Sequence, residues 1–387
     1  LPRESWSRQF AVPGRPSTRL KPFTPGSPGA LPVADVVRSG SIPGRLIELT
    51  GEATAMVIKR VAILGAGGMG TALALLFDGR GKATQLWSRS PERAAAMARS
   101  RLNERHLPGV ALPDSITITP NACDATAAAD LIVVAIPSSF LRATLTDLAD
   151  RLPKGVPVLS VVKGIENGSF SRPSQIVVEL LGDRSVSVLS GPSHAEEIAR
   201  GLPASVVVGG EDSSLNSAVS DALNHATFRV YTNPDAIGVE LAGALKNILG
   251  LAAGICDGLG FGDNAKAALL TRGLVEMARF GVALGGREET FRGLAGVGDV
   301  ITTCFSRFGR NRSVGERIGR GESLEQIIAD MVNVAEGVPT TRSVHELSIK
   351  LDIPMPITHE VFAILFEGKP PRAAVSDLML RDPKGEW

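Results

Sequence analysis

Aromatic side chains make up only 4% of the 387 residues, with 3 Trp and 1 Tyr, and the formal net charge is +1. With no basic field and few rings for bases to stack on, the composition speaks against nucleic-acid binding. Cysteine is equally scarce: Cys123, Cys256 and Cys304 lie far apart and form no CxxC pair. That excludes a disulfide framework and a cysteine-based zinc site, and fits a reducing compartment. The 5 histidines are scattered, so no metal is expected. No run of about 18 apolar residues is free of charge, which argues against a membrane span. No repeat recurs at the periods of solenoids or propellers. What is present is a globular mixture, 44% hydrophobic and 21% charged, in a chain long enough for two domains with substantial cores.

Residues 1–55 differ from the rest. The opening "LPRESWSRQFAVPGRPSTRLKPFTPGSPG" is rich in Pro, Arg, Ser and Gly and contains a single acid, Glu4. It has no sustained helical or strand period, so it reads as a disordered extension. A basic, Ser-rich leader also fits an organelle transit peptide, but Asp35, Glu48 and Glu52 follow and no amphipathic helix is evident. A dispensable tail, or a start assigned too far upstream, are the other readings. Met56 stands just before the first strong strand pattern.

From Val57 the pattern becomes regular. Apolar strand candidates occupy 57–64, 83–87, 130–136, 156–162, 186–190, 204–210 and 227–231, with helical patterns such as 91–101 and 138–152 between them. Such alternation predicts an α/β domain with a mostly parallel sheet covered on both faces. After Pro234 the strand signal stops and the pattern is helical, over 234–256, 264–285, 313–319, 323–332, 338–350 and 357–368. The expected organisation is a Rossmann-type dinucleotide-binding domain over 56–234 and an all-α domain over 235–387.

"VAILGAGGMGTALA" presents Gly65, Gly67 and Gly70 as GxGxxG between a strand and a helix. Gly65 permits a tight turn, Gly67 lets backbone approach a pyrophosphate, and Gly70 lets helix and strand pack closely. No GK[ST] follows, so a Walker-type loop is excluded. After the second strand, "LWSRSPER" offers Ser88 and Arg89 where an NAD site usually places an acid. A guanidinium there suits a 2′-phosphate, so NADP(H) is expected to be accepted and preferred, with NAD(H) the other possible coenzyme. An ordinary solvated arginine is the alternative.

Two loops follow strands on the side where open α/β sheets bind ligands. One, "SVVKGIENG", carries Lys163, and the other, "LSGPSHAEEIARG", carries Ser193 and His194. A loop lysine is often plain surface charge, and a histidine at a helix start is often structural. Lys246 is the only charge between residues 241 and 256, in "LAGALKNILGLAAG". Either its stem packs on the core and its head reaches water, or it is a buried acid of lowered pKa. In "GLAGVGDVITTCFSRFGRNRSVGERIGRG", Asp299 has a glycine-rich approach, and Arg307, Arg310, Asn311 and Arg312 cluster near a helix start. That combination suits a phosphate dianion, or is a basic surface patch.

These segments, with "IVVAIPS", "VVKGIE", "SGPSHAEEIARGLPASVVV", "ELAGALKNILGLAAGICDGLGFGDNAKAALLTRGLVEM", "GLAGVGDVITTC", "GRNRSVG" and "VAEGVPT", resemble the bacterial-type NAD(P)-dependent glycerol-3-phosphate dehydrogenases. The likeness runs from Met56 nearly to the C-terminus and leaves out residues 1–55. It implies reversible reduction of dihydroxyacetone phosphate to sn-glycerol 3-phosphate for glycerophospholipid synthesis, in a cytoplasmic homodimer. It also implies that Lys246 is the acid/base, with Lys163 and Asp299 beside it. Lys163, Gly191, Ser193, Lys246, Asp299, Arg310 and Asn311 would meet substrate. Gly65, Gly67, Gly68, Met69, Gly70, Arg89, Lys163, Ala195, Arg310, Val334 and Glu336 would meet the coenzyme. Three positions depart from the family pattern: Gly68-Met69 stands where it usually has Ser-Trp, and Gly309 where it usually has Ser. Two rival readings are a β-hydroxyacid-type dehydrogenase and a non-enzymatic NAD(P) sensor. The arginine cluster speaks against the first, and the set Lys163, Lys246 and Asp299 against the second.

Overall fold

A computed structural model describes residues 56–331, 334–383 and 385. The expected disordered extension lies outside the described residues. The first part of the described chain alternates strands and helices: β1 (Arg60–Leu64), α1 (Gly68–Gly79), β2 (Ala83–Trp87), α2 (Pro91–Ser100), β3 (Leu102–Asn103), β4 (Leu107–Ala111), β5 (Thr117–Thr119), α3 (Ala122–Thr126), β6 (Leu131–Val134), α4 (Ser138–Leu148), β7 (Val158–Ser160), α5 (Pro173–Leu181), β8 (Val186–Ser190), α6 (Ala195–Ile198), β9 (Ala204–Gly209), α7 (Ser213–Leu223) and β10 (Phe228–Asn233). Helices follow: α8 (Ala236–Gly258), α9 (Asp263–Ala283), α10 (Glu288–Arg292), α11 (Asp299–Phe305), α12 (Arg310–Gly319), α13 (Leu324–Asp330), α14 (Gly337–Lys350), α15 (Pro356–Phe366) and α16 (Pro371–Met379).

Eight strands form one sheet in the order β10-β9-β8-β7-β6-β1-β2-β5. Every neighbouring pair is parallel except β8 with β9. The apolar runs follow from burial on both faces. Val61 and Ile63 of β1 join a core on one face with Leu73 and Phe77. Leu64, Ile132 and Val134 join the other, with Leu141 and Leu145 of α4. Each such side chain contributes about 1.5–3 kcal/mol when fully buried. From β1 the chain winds outward through β2 to β5, then returns beside β1 at β6 and winds the other way. The crevice between β1 and β6 is thus the reversal point, where open α/β sheets bind ligands.

The short strands β3, β4 and β5 are additions to the expected list. β3 and β4 form a separate antiparallel pair, and β5 extends the sheet edge by three residues. They are short and largely exposed, with Pro108 and Gly109 inside β4, so no apolar run marks them.

Helix α8 is the axis of the helical part. Its N-cap Asp235 accepts from the Gly238 amide at 2.8 Å, and also from the Arg287 amide at 2.8 Å and the Thr290 hydroxyl at 2.6 Å. At 23 residues and a mean hydropathy of 1.4 over its most apolar window, it is long and apolar enough to cross a membrane. That differs from the expectation drawn from its charges, Glu240 and Lys246. The window is 100% buried within the protein, so its apolarity serves the core. Gly250, Gly254 and Gly258 recur at four-residue spacing on one face, matched by Gly315 and Gly319 of α12. A Cβ at Gly254 would lie 2.0 Å from the Arg312 carbonyl oxygen, and one at Gly315 2.0 Å from that of Leu251. The glycines therefore let two backbones touch, as small residues do at close helix crossings. This contact brings the first turn of α12 against the middle of α8, where Lys246 sits.

Candidate active site

A cleft of about 620 Å³ runs from the glycine-rich turn after β1 to the middle of α8. At one end, Gly65 has φ +122°, and a Cβ there would lie 2.5 Å from the carbonyl oxygen of Ala135, the residue after the neighbouring strand β6. A Cβ at Gly70 would lie 1.9 Å from the Gly65 carbonyl oxygen. Gly67 has nothing within 4 Å of its Cβ position, so its backbone is open to a ligand. This is a cradle that fits a dinucleotide pyrophosphate at the start of α1. Gly68, Met69, Arg89, Ala195, Val334 and Glu336 all line the same cleft. Arg89 is exposed at its rim. A Cβ at Gly68 would come within 3.1 Å of the His106 carbonyl oxygen, so glycine suits this departure from the family.

The chemical end is built from three elements. Lys163 follows β7, Lys246 lies mid-way along α8, and Asp299 opens α11 directly after a π-helical turn at Leu294–Gly298. The Lys163 ammonium donates to Asp299 Oδ2 at 2.6 Å, to the Gly191 carbonyl at 3.2 Å and to Ser193 Oγ at 3.4 Å. Lys246 Nζ donates to Thr303 Oγ1 at 2.6 Å and pairs with Asp299 Oδ1 at 3.3 Å. One carboxylate thus carries two ammonium groups. Asp299 is 2% exposed and Lys246 9%. An ammonium has three N–H donors, so these contacts leave Lys246 one for a ligand.

Burial is the largest influence on Lys246 and takes its pKa from 10.5 down to about 8. Asp299 opposes the shift, and Lys163 and Arg310 assist it. Desolvation therefore outweighs the counter-charge, by roughly 3 kcal/mol in favour of the neutral amine. Burial alone would raise Asp299, but Lys163 and Lys246 outweigh it and hold the carboxyl below its ordinary range. The His194 imidazole is kept neutral by burial and by the Lys246 charge, and its Nε2 has no partner. Among the described residues no cluster of metal-ligating side chains is found.

The remaining expected residues have distinct placements. Gly191 has φ +116° and does not line the cleft; its carbonyl accepts from Lys163 and, at 2.7 Å, from Ser193 Oγ. Asn311 is buried and spends its amide on protein: it donates to Asn247 Oδ1 at 2.9 Å and accepts from the Gly337 amide at 2.9 Å. Arg310 is exposed at the cleft and donates to the Val334 carbonyl at 3.2 Å. Glu336 accepts from the Ser138 amide at 3.0 Å and from its hydroxyl, and burial raises its pKa. The expected arginine cluster divides. Arg312 turns away to Asp257 at 2.7 Å, and Arg307 lies over the Phe308 ring. Arg307 lies before α12, and Arg310 and Arg312, two positions apart on that helix, point about 200° apart, so the three cannot all face one ligand. A Cβ at Gly309 would lie 2.6 Å from the Thr303 carbonyl oxygen, which accounts for glycine there.

Thr303, Asn247 and Ser138 line the cleft too, and the sequence reading did not single them out. For Thr303 a signal exists: it stands four residues after Asp299 on one helix, so both face Lys246.

Comparison with known proteins matches this architecture. Residues 60–216 match the N-terminal family model of NAD-dependent glycerol-3-phosphate dehydrogenase, and residues 235–376 match the C-terminal one. A glycerol-3-phosphate dehydrogenase [NAD(P)+] of Chlorobium limicola is 47% identical over 329 residues, 84% of this chain and 99% of the relative. One of Moorella thermoacetica is 48% identical over 334 residues, covering 85% and 99%. The crystal structure of glycerol-3-phosphate dehydrogenase from Coxiella burnetii superposes with a TM-score of 0.81 at 37% identity, covering 84% of this chain and 99% of that one. With both halves matched in order and the cleft between them built from the matched segments, the chain belongs to the NAD-dependent glycerol-3-phosphate dehydrogenase family.

Proposed function

We propose that this protein reduces dihydroxyacetone phosphate to sn-glycerol 3-phosphate with NAD(P)H, reversibly. The observation that carries the reading is the meeting of Lys163 and Lys246 on Asp299, with Lys246 buried and its pKa near 8. Residues 56–234 hold the nucleotide and 235–387 complete the substrate site. The coenzyme, when bound, supplies a hydride to the ketone carbon. Gly65, Gly67, Gly68 and Met69 would hold its pyrophosphate end, with Gly70 behind them letting α1 pack on β1; Arg89 would hold its adenosine end, and Lys163, Ala195, Arg310, Val334 and Glu336 the rest.

Charge builds on the carbonyl oxygen as the ketone is reduced, and a positioned acid must meet it. Lys246 Nζ gives its proton to that oxygen, and in the reverse direction the neutral amine takes one back. Lys163 steadies the developing negative charge. Asp299 is a positioning group for both ammoniums, and Thr303 fixes the Lys246 head. Arg310, at the start of α12, draws the substrate phosphate and so orients the ketone. Gly191 and Ser193 act on substrate through Lys163, and Asn311 acts by fixing Asn247 and the turn before α14.

The same reading includes a homodimer, a cytoplasmic location and a role in supplying glycerophospholipid synthesis. NADPH absorbance on mixing with dihydroxyacetone phosphate, and then 3-hydroxyacids with NADP⁺, tests the activity. Consumption of NADPH with the first and no response to the second supports it. The reverse pattern makes the protein a hydroxyacid dehydrogenase.

A further inference from the structure

The turn at 306–309 joins two working parts of the cleft. Asp299 and Thr303, on α11 before it, hold the head of Lys246, and Arg310, the first residue of α12 after it, lines the cleft. Behind this turn lies a second carboxylate that carries two cations. Asp257, in the last turn of α8, accepts from Lys266 Nζ at 2.9 Å on each oxygen and from Arg312 Nε at 2.7 Å. Arg312 also pairs with Glu316 at 3.6 Å, one turn further along its own helix. Lys266 stands in the first turn of α9 and is only 6% exposed, and its ammonium lies 4.6 Å from the centre of the half-exposed Phe305 ring. Phe305 is the last residue of α11, and Arg312 is the third of α12. The cluster therefore holds both sides of the turn at once. Asp257, Lys266 and Arg312 do not line the cleft, so none is placed to touch a ligand there. Replacing a buried ion pair by apolar side chains is often neutral or stabilising. Stability alone therefore does not account for a buried lysine at this joint.

We propose that Asp257 and Lys266 are positioning residues, which lock the joint between α11 and α12 and so fix the spacing from the Lys246 ammonium to the phosphate grip of Arg310. The inference rests on the reaction proposed above and extends it to side chains outside the cleft. The glycine contact sets how closely α12 approaches α8. It leaves α12 free to turn about its own axis, and the bond from Arg312 to Asp257 removes that freedom. Arg312 points away from Arg310 on the same helix, so holding the one aims the other at the cleft. Lys266 ties the same carboxylate to the end of α11 through the Phe305 ring. A small substrate held by its phosphate presents its ketone correctly only while the two ends keep one spacing. A misplacement of about 1 Å, even from a change far from the chemistry, can cost about 100-fold.

The test joins steady-state kinetics of the full chain, with dihydroxyacetone phosphate and NADPH, to calorimetric titration with sn-glycerol 3-phosphate and with NADPH. Lys266→Met and Asp257→Asn should each raise KM for dihydroxyacetone phosphate and Kd for sn-glycerol 3-phosphate by about 10-fold to 150-fold, the worth of the displaced Arg310 contact. Kd for NADPH should stay near wild type. Arg312→Gln, at a side chain 23% exposed, should move the same two constants and keeps the test valid where Lys266→Met lowers the melting temperature. A merely structural role lowers the melting temperature and, through the folded fraction, kcat, but leaves KM and both Kd values unchanged; that result overturns the proposal. Equal weakening of sn-glycerol 3-phosphate and NADPH also overturns it, because the damage is then general to the cleft. A wild type that binds sn-glycerol 3-phosphate, and variants that bind it more weakly, with no oxidation of NADPH by dihydroxyacetone phosphate, would overturn the proposed reaction and leave the positioning role standing. A wild type that does not bind sn-glycerol 3-phosphate overturns both.

Discussion

At the inner end of the cleft Lys163 and Lys246 share one buried carboxylate, whereas at the outer end Arg89, Arg93 and Arg105 line the cleft with no ion-pair partner among the described residues. The inner charges are compensated by the protein itself. Their geometry is set before any ligand arrives, and burial then tunes one of them toward neutrality. The outer charges are partly or largely exposed and left for a ligand to neutralise. Preorganised compensation suits proton transfer, which needs a held atom and a matched pKa. Uncompensated charge suits recognition, because an arriving anion gains the whole interaction.

The comparison breaks most visibly at Asp299. Asp299→Asn leaves two ammonium groups facing each other in the core. Removing one partner of a buried pair costs about 3–5 kcal/mol, readable by urea denaturation at pH 7. The Lys246 pKa should fall further below 8, since the group that raises it is gone. Part of the lost stability should return at higher pH as the lysines become neutral. At the outer end, Arg105→Ala should change stability by no more than about 0.5 kcal/mol.

Arg89→Asp sharpens the contrast from the other side. NADPH affinity should fall by roughly 10-fold to 150-fold, the worth of one charge-assisted contact, while NADH affinity holds or improves. Equal losses for both coenzymes would mean that Arg89 does not read the 2′-phosphate. Fluorescence quenching distinguishes the two.

Gly254→Ala probes the inner end through the scaffold alone. A methyl group 2.0 Å from the Arg312 carbonyl oxygen must push α12 off α8. Overpacking of this kind costs about 1–3 kcal/mol. Because α12 starts with Arg310, KM for dihydroxyacetone phosphate should rise while the Kd for NADPH stays near wild type. A change confined to coenzyme binding would contradict the placement of Arg310.

How much of this was legible beforehand depends on whether the cause was local. The glycine-rich turn is local, because Gly65 needs positive φ and Gly70 needs contact, and both lie within one strand-turn-helix unit. Strands 83–87 and 186–190 match their apolar runs to the residue. Helix α8 was legible as a helix with one odd lysine, but the partners of that lysine were not. Thr303 and Asp299 reach it only through the glycine contact of α8 with α12 and the π-helical turn before α11. Arg93 and Arg105 are 12 residues apart, and only the β3–β4 pair makes them neighbours. That pair was invisible because its strands are too short and too exposed for a burial pattern. The arginine cluster 307–312 divides because Arg307 precedes α12, while Arg310 and Arg312, two positions apart on it, leave in different directions.

The central claim is that Lys246 is a proton donor whose pKa burial has lowered to about 8. Stability follows the same titration. A lysine with folded pKa below its ordinary 10.5 leaves the folded state binding fewer protons between those values. Stability should therefore rise with pH from about 8 to about 10.5 in the wild type. The direct measurement is the pH dependence of kcat/KM for dihydroxyacetone phosphate reduction, in the wild type and in Lys246→Met. The wild-type rate should decline above a pKa near 8 as the ammonium is lost. The variant should lack that limb and turn over about 10²–10⁴-fold more slowly, with the stability gain between pH 8 and 10.5 gone and the fold intact. A variant within a few-fold of the wild type, showing the same alkaline limb, would contradict the account and leave Lys246 a packed core residue.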